Sequence, residues 1–153
     1  MLMAASADGH ERLLEMLLQR GAALDLQNSL GGTALMAAAT FDHPSIVLVL
    51  LQHSADPDLQ DIEGATALMR PAAQGQKACV QALLRAKANP DLQDVDGITA
   101  LMAASEQGQQ ACVKALLRAK ANTELLNNKG RTALQCAEAK GHTAVAKLIR
   151  QHT

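Results

Sequence analysis

Short apolar stripes alternate with polar, turn-forming stretches along the whole chain, and the stripes have helical spacing. Cys112, Val113, Leu116 and Leu117 stand at i, i+1, i+4 and i+5, which puts them on one side of a helix. The stripe before it, Leu101, Met102 and Ala104, follows Thr99, a residue suited to capping a helix N-terminus. It stops at Gly108, which tolerates the positive φ of a helix end. The connections between such helix pairs, Asp56-Pro57-Asp58 to Gly64 and Asn89-Pro90-Asp91 to Gly97, are rich in turn formers and read as extended, hairpin-like links. The predicted unit is helix, turn, helix, β-turn.

That unit recurs. Gly31-x-Thr33-Ala34-Leu35-Met36 returns as Gly64-x-Thr66-Ala67-Leu68-Met69, Gly97-x-Thr99-Ala100-Leu101-Met102 and Gly130-x-Thr132-Ala133-Leu134-Gln135, a period of 33 residues without a slip. Gly9, Gly75, Gly108 and Gly141 keep the same register, with Asp42 as the odd member, and so do Leu17-Leu18, Leu50-Leu51, Leu83-Leu84 and Leu116-Leu117. The units fall at about 1–27, 28–60, 61–93, 94–126 and 127–153, one domain over 1–153 with no linker. Arg150 replaces the second Leu of the pair and Lys147 adds polarity, as a capping repeat requires. The first unit carries no such substitution, so a fragment of a longer array, or an end closed by another protomer, is the expectation there.

The pattern D-x-x-G-x-T-A-L-M-x-A-A-x-x-G, then V-x-x-L-L, then A-(N/D), resembles the ankyrin repeat, and the resemblance covers the whole chain. It implies an all-α repeat solenoid, a right-handed stack of L-shaped helix-turn-helix units joined by β-hairpin-like turns. Hairpin tips and first helices would line a concave groove, where such repeats usually bind other proteins. The physics of repeats agrees, because one unit cannot bury its apolar face and neighbours must do so, leaving an extended surface.

Three departures from that pattern stand out. Ser54, Lys87 and Lys120 replace the Gly that ends the second helix at Gly21, and a side chain in the left-handed conformation costs roughly 1 kcal/mol. A different local turn is expected there. Met3, Met36, Met69 and Met102 form a column that suits core packing, with a soft contact strip as the alternative. Pro71 stands mid-helix where neighbouring units have Ala38 and Ala104, which predicts a kinked or shortened helix and leaves open whether Arg70 is pushed into the groove.

Composition narrows the function. Phe41 is the single aromatic residue, so neither an aromatic cage nor a base-stacking platform can be built. With 14 Lys+Arg against 15 Asp+Glu there is no basic excess for neutralising phosphates, and nucleic acid is not an expected partner. No apolar run approaches a membrane span and the start has no signal-peptide pattern. Cys79, Cys112 and Cys136 are odd in number and lack CxxC spacing, which argues against disulfides or zinc and fits a reducing, intracellular and cytoplasmic setting.

Catalytic chemistry finds no support. His10, His43 and His142 share one structural slot, and His53 and His152 another, in units far apart. Cys79 and Cys112 lie on core stripes where a thiol is inert. The carboxylates Asp56/Asp58 and Asp94/Asp96 sit on exposed turns, and the glycines form no phosphate-binding loop. Neither an enzyme nor a cofactor or metal site is expected.

Charge is distributed unevenly. Residues 1–106 hold 13 acidic and 6 basic residues, net −7, whereas 107–153 hold 2 acidic and 8 basic, net +6. If the concave groove forms, its middle offers Ile62, Val95 and Ile98 interleaved with Glu63 and Asp96, and Phe41 supplies an anchor. Glu106 lies beside them, and Lys129, Arg131 and Lys140 steer an acidic end. Such a surface suits a protein or peptide with one or two apolar anchors and basic neighbours, bound by a monomer. The alternatives are a regulatory segment of a larger enzyme or channel that docks intramolecularly, and self-association through the N-terminal face.

Overall fold

The computed structural model describes residues 1–153 as ten helices in five antiparallel pairs, with no strand. The pairs are α1 (Leu2–Ala7) with α2 (Glu11–Gln19), α3 (Ala34–Thr40) with α4 (Pro44–Gln52), and α5 (Met69–Gln74) with α6 (Lys77–Arg85). They continue with α7 (Ala100–Glu106) and α8 (Gln110–Arg118), then α9 (Ala133–Ala139) and α10 (Thr143–His152). Short first helices pack on first helices and longer second helices on second helices, so the stack has two layers. No helix is long and apolar enough to cross a membrane.

The 33-residue period becomes columns of buried side chains between layers. Leu2, Leu35, Leu68 and Leu101 form one, and Leu50, Leu83, Leu116 and Ile149 another. Each fully buried Leu or Ile contributes about 1.5 to 3 kcal/mol relative to exposure. Ala5, Ala38, Ala104 and Ala137 make a third column, small enough to let first helices approach closely.

Thr caps set the first helices. The hydroxyls of Thr33 and Thr99 accept from the N–H of Met36 and Met102, both at 3.2 Å. Thr132 does the same for Gln135 at 3.3 Å, and the Gln135 side chain returns to the Thr132 N–H at 2.9 Å, completing a capping box.

Pro71 occupies the alanine column and is buried, and α5 is shortened as the sequence predicts. Because α5 starts only at Met69, Pro71 falls within its first turn, where an N–H has no intrahelical acceptor. The full penalty expected for an interior proline is therefore not incurred. What is lost is the Thr66 cap: the Met69 N–H donates instead to the Thr66 carbonyl at 3.3 Å.

The turns after the second helices correct one expectation. Ser54, Lys87 and Lys120 do not find another geometry; their φ values are 71°, 65° and 61°, in the same left-handed region as Gly21 at 79°. Two hydrogen bonds impose it at each site. The Lys87 N–H donates to Leu84 O and the Ala88 N–H to Leu83 O, at 3.0 and 3.1 Å, and Ala88 is buried. Lys120 and Ser54 repeat this arrangement with Ala121 and Ala55. Two hydrogen bonds and a buried methyl outweigh roughly 1 kcal/mol of backbone strain.

Candidate protein-binding groove

The loops between pairs are held rigidly by side chains that repeat with the sequence. At each tip an Asn or Asp folds back on its own loop: Asp61 Oδ1 accepts from Glu63 N–H and Ala65 N–H, both at 2.9 Å, and Asp94 Oδ1 does so from Asp96 and Ile98. Asn127 holds Lys129 and Arg131 in the same way, at 2.9 and 3.0 Å. Neighbouring tips are then joined, Val95 N–H donating to Glu63 O and Asn128 N–H to Asp96 O, both at 2.9 Å. Behind them the Gln60 amide spans Gly64 O and Gln93 O, and the Gln93 amide spans Gly97 O and Leu126 O. Sequence reasoning assigned no role to these glutamines, although Gln27, Gln60 and Gln93 form a visible column.

Of the hollows where loops meet first helices, one of about 530 Å³ lies against α1 at the N-terminal end, and two others hold candidate site residues. The first of these two, of about 340 Å³, lies between α7, α9 and the tips that precede them, and it gathers Asp96, Ile98, Glu106, Lys129, Arg131 and Lys140. Glu106 ends α7 and Lys140 follows α9; Lys140 Nζ stands 3.7 Å from Glu106 Oε1, with both side chains substantially exposed. Such a pair is worth little by itself, which leaves both charges open to a partner. Cys136 and Ala139 supply apolar lining.

The second hollow, about 360 Å³, lies over α3 toward the N-terminal end, and is lined by Met3, Leu30, Met36, Phe41 and Arg70 among others. Phe41 is 60% exposed. The methionine column divides: Met69 and Met102 are buried in the core, whereas Met3 and Met36 are half-buried and face this hollow. Arg70 lies on its rim. Phe41 is thus not brought together with Asp96 and Glu106. Ile62, Glu63 and Val95 are exposed at the loop tips and line neither of these two hollows.

The histidine slot is structural. His43 Nε2 lies 2.9 Å from Ala7 O and His142 Nε2 2.9 Å from Glu106 O, each bridging to the preceding pair; Gln109 fills the same position with a 3.0 Å bond to Ala73 O. All three thiols are buried. Burial, reinforced by the Asp42 carboxylate, pushes Cys79 up to about 12, and burial also raises Cys112 and Cys136. Neutral thiols of this kind are poor nucleophiles. No group of three or more His, Cys, Asp or Glu side chains is placed to hold a metal ion.

A family model described as ankyrin repeats (3 copies) matches residues 2–94 and 72–153, together nearly the whole chain. The chain belongs to the ankyrin repeat family. No curated protein matches it. Ankyrin repeats are in general protein–protein interaction modules and typically non-catalytic. In this ankyrin stack, loop tips and first helices line both hollows.

Proposed function

We propose that residues 1–153 act as one five-unit, non-catalytic array that binds a protein or peptide on the face formed by loop tips and first helices. The observation that carries this reading is the hollow in which Asp96, Ile98, Glu106, Lys129, Arg131 and Lys140 converge. Apolar side chains at the tips, Ile62 and Val95, alternate with Glu63 and Asp96, while Lys129, Arg131 and Lys140 stand at one end, so the fitting partner carries one or two aliphatic or aromatic anchors with basic neighbours and an acidic end. Mechanistically it is rigid complementarity. The tips are already fixed by Asx bonds and glutamine bridges, so little ordering entropy is lost on binding.

The test is selection from a random peptide library on the purified chain, counter-screened with a Glu63→Lys/Asp96→Lys variant. Enrichment of basic segments with an apolar anchor by the parent alone supports the groove. If both proteins enrich the same peptides, or neither enriches any, the acidic-groove reading fails and docking onto a folded domain takes its place.

A further inference from the structure

The opposite layer of the stack carries its own charge pattern. The second helices of the last three pairs, α6, α8 and α10, contain no Asp or Glu at all, whereas α2 carries Glu11 and Glu15. Lys114 and Arg118 stand four residues apart on α8, roughly 6 Å between their Cβ atoms on one side of the helix. With Leu117, Leu148, Gln151 and His152 they line a groove of about 250 Å³ between α8 and α10. Lys147 is exposed on α10. Arg150 is not available to this groove, because its guanidinium is paired with Glu138; Lys114, Arg118 and Lys147 have no carboxylate partner.

The pattern continues along the stack. Arg85 precedes Arg118 by one period and Lys87 precedes Lys120, and all four are exposed. Adjacent helices in such a layer are spaced about 8 to 10 Å apart, so these side chains form two pairs of cations across α6 and α8, and Gln151 and Thr153 take the corresponding places in the last unit. Lys87 and Lys120 hold their places in the left-handed conformation, where Gly21 marks the unstrained choice.

From this geometry we propose that the second-helix face of α6, α8 and α10 is a separate docking surface for an acidic protein segment that carries an aliphatic side chain. The cation pairs, with Lys114 and Lys147, match a run of carboxylates, and the partly exposed Leu148, with buried Leu117 beneath the groove, meets the aliphatic group. The groove is shallow and its apolar lining small, so the cations carry most of the recognition and little apolar surface is offered for insertion into a lipid layer. Without aromatic rings beside the cations there is no stacking platform for single-stranded nucleic acid.

The experiment is fluorescence anisotropy of the full chain with a labelled peptide of repeated Glu-Glu-Leu, its Gln-Gln-Leu counterpart and a Glu-Glu-Ser version. The expected result is binding of the first peptide that weakens at least about tenfold on replacing Glu by Gln, and equally in a Lys114→Ala/Arg118→Ala variant. A smaller loss is expected for the Ser version. Lys129→Ala/Arg131→Ala, which removes cations from the loop-tip face, should leave the affinity unchanged. Unaltered binding by Lys114→Ala/Arg118→Ala overturns the proposal. So does tighter binding to vesicles of equal parts phosphatidylserine and phosphatidylcholine, or to a single-stranded oligonucleotide, than to the peptide. Loss of peptide binding only in Lys129→Ala/Arg131→Ala also overturns it, while leaving the groove on the loop-tip face intact as the binding site. All four substituted residues are exposed, and unchanged circular dichroism verifies that each variant folds.

Discussion

His142 Nε2 lies 2.9 Å from the carbonyl oxygen of Glu106, and the ring fits there because Gly108 has no side chain. A carbonyl only accepts, so Nε2 donates and the proton sits on that nitrogen. A methyl group on Gly108 would stand 2.7 Å from His142 Nδ1, and Gly108 also has a φ of +70°. Gly108→Ala is therefore expected to cost about 2 kcal/mol, combining left-handed strain with displacement of the ring. His142→Ala should cost about 1 to 2 kcal/mol by leaving the Glu106 carbonyl unsatisfied. His142→Gln should be nearly neutral, since Gln109 makes the same bridge one unit earlier. Urea midpoints of the three variants check this, and equal losses for the Ala and Gln variants would contradict the bridge.

Lys87 and Lys120 keep side chains in a conformation that favours glycine. Lys87→Gly and Lys120→Gly should each raise stability by about 0.5 to 1 kcal/mol, the strain relieved less the extra freedom of glycine in the unfolded chain. The sites are 33 residues apart in different pairs, so the gains should add. Thermal melting of the single and double variants measures it; a loss on either substitution would mean that the lysine stem packs usefully on its helix.

Most of the fold was legible because the helix pairs repeat: Leu35, Leu68 and Leu101 return at the same position, and one column of buried leucines implies the next. The turns at Ser54, Lys87 and Lys120 were not legible, since the residue type there disfavours the conformation that hydrogen bonds to the preceding turn enforce. On the candidate groove, the sequence placed Asp96, Ile98 and Lys140 on one face, and they do line one hollow. It grouped Phe41 with them, although the 33-residue period already sets Phe41 two units away from Asp96 and Ile98. The Gln93 bridge escaped notice because a surface glutamine carries no signal until its two acceptors, Gly97 O and Leu126 O, are known.

The Gln93 amide gives the third prediction. Gln93→Ala removes both bonds, at 2.8 and 2.9 Å, and should destabilise the chain by about 1 to 2 kcal/mol. The effect should also be local. Amide hydrogen exchange at Val95 and Asn128, whose N–H groups join adjacent tips, should accelerate, while exchange at Leu116 in the core follows the global loss alone. Uniform acceleration would show that the bridge stabilises the stack without organising the tips.

Cys79 provides a pH signature. Its thiol is buried beside Asp42, with Sγ 3.6 Å from Asp42 Oδ1, and is pushed up to about 12 from an ordinary 9.0. Because the folded state holds this proton more tightly than the unfolded state, the stabilisation is fully present below pH 9.0 and is lost as pH rises from there toward about 12. Cys79→Ser leaves no thiol to titrate at this position and should flatten that part of the stability profile, with Cys112→Ser as a comparison for a thiol raised chiefly by burial without an adjacent acid. Alkylation by iodoacetamide at pH 8 should be slow for the folded chain at Cys79 and fast in urea.

Pro71→Ala tests whether the short first turn of α5 is imposed by the proline or by its surroundings. Alanine fits the column occupied by Ala38 and Ala104, restores a backbone N–H, and allows the helix to begin at Ala67 as it begins at Ala34 and Ala100. Thr66 would then cap Met69 as Thr33 caps Met36, a bond worth about 1 kcal/mol. The expected net effect is a stabilisation of about 0.5 to 1 kcal/mol, reduced by the freedom that the unfolded chain regains without proline. A Pro71→Ala/Thr66→Val double variant separates the sources, since Val has the shape of Thr but no hydroxyl to cap with. If the gain survives in the double variant, it comes from backbone geometry and the regained N–H; if it disappears, the cap accounts for it. No gain in the single variant would show that the packing around α5, and not Pro71, sets where that helix begins.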